Sequence, residues 1–252
     1  FPRALLITGK KGIGKASLII HLMHFIFNKN FYNEKENLVL KKNSFYNQLS
    51  NNLFQNIIYL DFLNSKSIKI EDIRNSKNKL LKSSLNNLKR FIILDDVETY
   101  NINSLNALLK IIEEPTKNSY FILINNSSKQ LLETIKSRCL EFKINLNENE
   151  RKKVISSLFE NFNHSMIFRT DLIKATPGNF LKFNFILERN KIDINNNFMD
   201  NFDYLVSLYK KEKDIFYKDL LIFFSEYYLE SLKNEKKLDI NKFIENRSFI
   251  AK

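Results

Sequence analysis

A lysine preceded by spaced glycines is suited to holding phosphate, and Gly9-Lys10-Lys11-Gly12-Ile13-Gly14-Lys15 fits the G-x-x-x-x-G-K pattern. Gly9, Gly12 and Gly14 let the backbone adopt positive φ and turn its amides inward. Lys15 and the N-terminus of a following helix add positive potential for phosphate oxygens. The next residue breaks the pattern. Ala16 stands where a Ser or Thr hydroxyl would hold magnesium, and Ser17 comes one residue late, rotated about 100° around a helix of ~3.6 residues per turn. The spacing predicts a degenerate nucleotide-type loop in which magnesium-dependent hydrolysis is weak or absent; the plain alternative is a glycine-rich turn with no ligand.

A second constellation follows the apolar run Phe91-Ile92-Ile93-Leu94, which ends in Asp95-Asp96. Asp95 would face magnesium through water. The run resembles the acidic strand end of ring-forming ATPases, in which the next residue is normally a Glu that polarises the attacking water; Asp96 is one methylene shorter. The structural alternative is a pair of acids capping the next turn. Asn125 ends another apolar run, Tyr120 to Ile124, and places a polar group beside the same crevice. Cys139, the single cysteine, excludes an internal disulfide and a multi-cysteine zinc site, so a reducing, cytoplasmic setting is expected. With no paired His in a matching motif, it reads as a packing residue. His21 and His24 share a helix face and are expected to pack there, not to bind metal.

These residues need a scaffold. Continuous apolar runs at Ala4 to Thr8, Ile57 to Asp61, Phe91 to Asp95, Tyr120 to Ile124 and Leu140 to Ile144 indicate strands covered on both faces, hence a parallel sheet with crossover helices. In such a sheet ligands sit beyond the carboxyl ends of the strands. The α/β domain is expected over residues 1–146, with an irregular excursion between Asn28 and Asn56. Beyond it, Glu148 to Phe162, Arg169 to Lys174 and Asn179 to Glu188 read as a small helical domain over 147–190, broken at Thr176-Pro177-Gly178. Arg189 to Asn197 reads as a linker. An aromatic stripe from Phe198 onward predicts an all-helical oligomerisation region over 197–252, truncated at its end. The chain starts with Phe1-Pro2 and not Met, so it is expected to be a fragment.

The 252 residues carry 40 Lys and Arg against 28 Asp and Glu, a net +12 that suits polyanions such as nucleic acid. The abundance of Lys, Asn, Ile and Phe, with only 4 Gly and no Trp, points equally to a compositional bias of the source. No uninterrupted apolar stretch of about 20 residues is present, so no membrane role is expected.

The most specific stretch is Asn106-Ala107-Leu108-Leu109-Lys110-Ile111-Ile112-Glu113-Glu114-Pro115, followed by an apolar strand and Ser137-Arg138-Cys139. This run resembles bacterial clamp-loader subunits of the DNA polymerase III holoenzyme over nearly all of residues 1–185. Within that family the motor branch, gamma or tau, keeps an intact loop, an Asp-Glu pair and a four-cysteine zinc module; the delta-prime branch often degrades the ATP site yet keeps S-R-C. Ala16, Asp96 and the missing zinc cysteines resemble the second, as does Ile68-Lys69-Ile70-Glu71-Asp72-Ile73-Arg74. The resemblance implies an AAA+ phosphate-loop fold with a helical lid and a C-terminal collar. It further implies that Asn125 or Asn126 lies where active members contact the γ-phosphate, and that Asn179 replaces the lid's usual Arg.

It implies a stator function as well. Arg138 would serve as an arginine finger, acting in trans on a neighbouring motor subunit during loading of the sliding clamp onto primed DNA, with gamma or tau and delta as partners. Gly9, Gly12, Gly14, Lys15, Ala16, Ser17, Asp95, Asp96 and Asn125 would form a degenerate nucleotide site. Its expected cofactor is none, or ATP or ADP with magnesium, and no zinc. The alternatives are a catalytically active clamp-loader ATPase and, remotely, a freestanding phosphotransferase. No motif here supports polymerase chemistry.

Overall fold

The computed structural model describes residues 1–39, 44–51, 53–60, 88–115, 117–162 and 164–234. They fall into two compact units, Phe1–Asn145 and Leu146–Lys252. The first is built on a parallel sheet of β1 (Ala4–Thr8), β4 (Ile57–Leu60), β5 (Arg90–Leu94), β6 (Ser119–Asn125) and β7 (Leu140–Lys143), in the order β4-β5-β6-β1-β7. β1 lies between β6 and β7, with Thr8 beside Asn125 on one side and Lys143 on the other. All five apolar runs become strands. The expected strand end at Asp61 and the segment Ile68 to Arg74 lie outside the described residues.

The sheet is apolar on both faces because its strands alternate between two cores. Leu6, Ile92, Leu94, Phe121 and Leu123 pack with Leu105, Leu108, Ile111 and Ile112 of α3 (Ile102–Glu113). Ile7, Phe91, Ile93, Ile122 and Ile124 pack on the other face with Ile19 and Met23 of α1 (Lys15–Phe27) and Phe45 of α2 (Ser44–Ser50). Burying each such side chain contributes roughly 1.5–3 kcal/mol, which fixes the strands and so the loops at their ends. α3 begins at Asn101, whose side chain accepts a hydrogen bond from the Ser104 amide at 2.8 Å. It stops just before Pro115, since the residue preceding a proline is pushed out of helical φ and ψ.

The excursion between Asn28 and Asn56 is more ordered than its composition suggests. It contains a 3-10 turn at Lys29–Phe31, a hairpin of β2 (Tyr32–Asn33) and β3 (Leu38–Val39), and α2. Its aromatics supply the reason: Phe45 and Phe54 meet edge to face at 4.8 Å and both pack on Phe27.

In the second unit, α5 (Glu148–Phe162), α6 (Pro177–Arg189), α7 (Phe198–Glu212) and α8 (Ile215–Asn234) close one core around Phe168, Phe180, Phe183, Leu187, Leu205 and Leu220. The described helices of the two regions expected separately at 147–190 and 197–252 thus share a core, and residues 235–252 lie outside the described residues. The helix expected over Arg169 to Lys174 does not form. Side chains hold its backbone instead: Arg151 donates to the Thr170 carbonyl at 2.6 Å and the Arg169 amide donates to the Tyr227 hydroxyl at 3.3 Å, while just before it the Asn184 Oδ1 accepts from the Ile167 and Phe168 amides. Those bonds bury Phe168, which a six-residue surface helix would not do.

Candidate functional site

The phosphate loop runs from the carboxyl end of β1 into α1. Gly14 caps α1 at φ 110°, a left-handed conformation costly for any residue with a Cβ. Gly9 is fixed by crowding: a Cβ there would lie 2.7 Å from the Ile144 carbonyl oxygen. Gly12 also has positive φ, at 83°. Positive φ is thus taken up at Gly12 and Gly14 but not at Gly9, where the missing Cβ serves close packing instead.

Lys15 does not extend from this loop. It is almost fully buried, and its Nζ donates to the Gly9 carbonyl and, at 2.9 Å, to the Lys10 carbonyl. Burial pulls its pKa below the ordinary lysine value, opposed by the negative charges of Asp95, Glu98 and Asp96. Ala16 and Ser17 are exposed at the start of α1, so neither the missing hydroxyl nor its late neighbour is folded into the crevice.

The acids are also engaged by protein groups. Asp95 Oδ2 accepts from the Tyr59 hydroxyl at 2.7 Å, and Oδ1 accepts from the Asp96 amide at 2.8 Å and the Asn126 side chain at 3.2 Å. Burial raises the Asp95 pKa above the usual carboxylate range, while the Tyr59 hydrogen bond works against the shift. Asp96 has positive φ, 51°, accepts from the same Asn126 amide group and lies 3.8 Å from the Lys11 ammonium. Asn126, at the end of β6, is thus the residue that spans the acidic pair. Asn125 is buried with its Oδ1 turned to the Ser127 amide, and its carbonyl accepts from Gly9.

Three participants carried no motif signal. Tyr59 comes from β4, Lys11 from an unspecified position of the loop, and Glu98 from the 3-10 turn Val97–Thr99 after the acidic strand. Glu98 is buried and ties the β5 exit to the β6 exit by accepting from the Asn126 amide, the Ser128 amide and the Ser128 hydroxyl at 2.8–3.1 Å. Among the described residues no group of three His, Cys, Asp or Glu side chains is arranged to hold a metal ion. The two helix histidines are packed: His24 is fully buried 4.8 Å from the Phe45 ring, and His21 meets Tyr32 edge to face.

Arg138 lies elsewhere. It follows the single helical turn α4 (Glu133–Lys136) and precedes β7, whose first residue, Leu140, pairs with Leu5. Leu5 is four residues before Gly9, so at ~3.3 Å per residue the start of β7 is about 13 Å from the phosphate loop, and Arg138 is two residues further back. This is the amino end of the sheet. The Arg138 Nε donates to Glu113, the last residue of α3, and Nη1 donates to the Thr134 carbonyl at 3.0 Å and lies 3.4 Å from the Ser137 hydroxyl. Nη2 has no hydrogen-bond partner among the described residues. Cys139 is half-buried, and burial pushes its thiol up to about 11, far from a nucleophile's range.

The chain is similar to known proteins over part of its length. A family model described as DNA polymerase III, delta subunit, matches residues 1–148, more than half of the chain. A delta-prime subunit of DNA polymerase III from Buchnera aphidicola is 34% identical over 76 residues, 30% of this chain and 23% of that protein. A gamma subunit from another Buchnera aphidicola is 26% identical over 151 residues, 59% of this chain and 40% of that protein. The chain therefore matches well under two thirds of either relative's length. A gamma subunit-related protein from Thermotoga maritima superposes with a TM-score of 0.52 over 98% of this chain and 95% of that one at 16% identity, a likeness of fold alone. No described helix is long and apolar enough to cross a membrane. A family match that spans the whole sheet, with the loop and the acidic strand end at one edge of it, makes this chain a member of the DNA polymerase III delta-subunit family, of AAA+ fold and with delta-prime subunits among its relatives.

Proposed function

We propose that the chain is a clamp-loader stator: it lends Arg138 to the ATP site of an adjacent gamma-type subunit and turns over little or no nucleotide itself. The observation that carries this reading is the position of Arg138 at the opposite end of the sheet from its own phosphate loop. A guanidinium there has no route to a phosphate on Gly9–Lys15, but it is exposed for one bound by a neighbour. An arginine supplied in this way neutralises charge developing on the transferred phosphoryl group and accelerates hydrolysis by about 10³–10⁵.

The chain's own loop supports the other half of the reading. The glycines would still cradle phosphate, but the magnesium ligands do not fit: Ala16 has no hydroxyl, Asp96 lacks a methylene, and Asp95 is a half-buried acid of raised pKa already bonded to Tyr59 and Asn126. Lys15 would have to exchange two carbonyl partners for a phosphate oxygen. No hydrolytic step is assigned to this site. The proposed partners are gamma-type motor subunits and a delta subunit, with the sliding clamp and primed DNA reached through the complex.

The test is a loader reconstituted with motor subunits and primed DNA. Arg138→Ala should remove hydrolysis at one interface while the chain still assembles. Robust turnover by the isolated chain, abolished by Lys15→Ala, would establish instead an active ATPase.

A further inference from the structure

We infer that Glu113 is a positioning residue for Arg138: its carboxylate holds the guanidinium by Nε and leaves the Nη2 edge facing outward for a phosphate on a partner subunit. This rests on the arginine-finger reading and adds to it the group that aims the side chain.

The argument starts from the three nitrogens. Nε is held by Glu113, Nη1 by the Thr134 carbonyl, and Nη2 by nothing among the described residues. An arginine has several rotatable bonds, so an unheld one spreads its charge over a wide cone; two anchors, at Nε and at Nη1, reduce that freedom and fix the direction of the third nitrogen. The anchors come from different elements, the end of α3 and the turn α4, so the aim is set by tertiary packing. Ile111, Ile112 and Ile135, which neighbour the anchors in sequence, lie buried in the same core.

Helix stability does not explain the placement of Glu113. It is the last residue of α3, where the exposed carbonyls make a negative charge unfavourable. Fold stability does not explain it either. Both side chains are well exposed, 39% for Arg138 and 45% for Glu113, and such surface pairs contribute roughly 0–1 kcal/mol. The pair therefore does little for the fold, whereas a small misplacement of a group acting on a transition state costs up to about 10²-fold in rate.

The experiment uses the reconstituted loader for rate and the isolated full chain for structure. Glu113→Gln, which keeps shape and removes charge, should leave the melting temperature within about 1 °C. It should slow hydrolysis at the Arg138 interface by about 10- to 100-fold with KM for ATP nearly unchanged, and Glu113→Asp should recover part of the loss. The pair should also be non-additive: Glu113→Gln combined with Arg138→Ala should be no slower than Arg138→Ala alone. In the isolated chain, the Arg138 Nε–H resonance should shift and exchange faster with water in Glu113→Gln. If Arg138→Ala slows the interface but Glu113→Gln does not, or if the two losses add, Glu113 does not aim the arginine and the inference is overturned. If Arg138→Ala leaves hydrolysis unchanged, the arginine-finger reading itself fails, and the positioning role falls with it.

Discussion

The two ends of the sheet differ in how their charged groups are used. At the carboxyl end, Lys15 is bonded to the carbonyls of its own loop, Asp95 to Tyr59 and Asn126, and Asp96 to Asn126. At the amino end, Arg138 is held at Nε and Nη1, remains exposed, and leaves Nη2 without a partner among the described residues. A buried cation bonded to the carbonyls of its own loop stabilises that loop; an exposed cation with an unbonded nitrogen can act on something brought to it. The contrast fits the stator proposed above, in which the scaffold of a nucleotide site is retained and the group that acts on a neighbour lies at the far end of that scaffold.

The largest effect expected from breaking this contrast comes from comparing Arg138→Ala with Lys15→Ala in the same assembled loader. Pre-steady-state hydrolysis should lose one interface in the first, slowed by about 10³-fold or more, and should change less than about twofold in the second. Equal losses would mean that both ends serve chemistry.

Gly14→Ala comes next. A Cβ at φ 110° meets no neighbouring atom within 4 Å, so its cost is purely conformational, about 1–2 kcal/mol, read as a lower denaturation midpoint. Hydrolysis at the Arg138 interface should survive once the chain is folded. A loss of that hydrolysis without a change in the midpoint would couple the loop to the arginine and blur the distinction between the two ends.

The smallest effect sharpens the electrostatics of the carboxyl end. Burial raises the folded-state pKa of Asp95, so ionising it penalises the folded state; the penalty is full above that raised pKa and vanishes as pH falls below the ordinary value of 3.8. Asp95→Asn keeps the shape and can still pair with Tyr59. Its melting temperature should exceed that of the parent by about 2–4 °C at pH 8, with the gap closing toward pH 4. A gap that widens on acidification would mean that Asp95 is stabilised as a carboxylate.

Much of this was legible in the sequence because it depends on local chemistry. Five apolar runs gave five strands, since a strand buried on both faces needs continuous apolar residues whatever its partners. Gly14 could be read for its positive φ, because few other residues tolerate it. The segment from Arg169 to Lys174 departs from the expected helix for the opposite reason: its backbone partners are the side chains of Arg151 and Tyr227, one before it and one far after, and no local pattern reveals them.

The residues of the loop, the acidic strand end and the S-R-C turn were thus determined by the sequence alone, as was the absence of a magnesium hydroxyl at position 16. Tertiary structure alone decided that Asn126 and not Asn125 spans the acids, that Tyr59 and Glu98 join the site, and that Glu113 holds Arg138. Each of the latter is a contact between strands or helices far apart in the chain. Sequence spacing sets which face a side chain takes within its own element, but the packing of one element on another sets what that side chain meets.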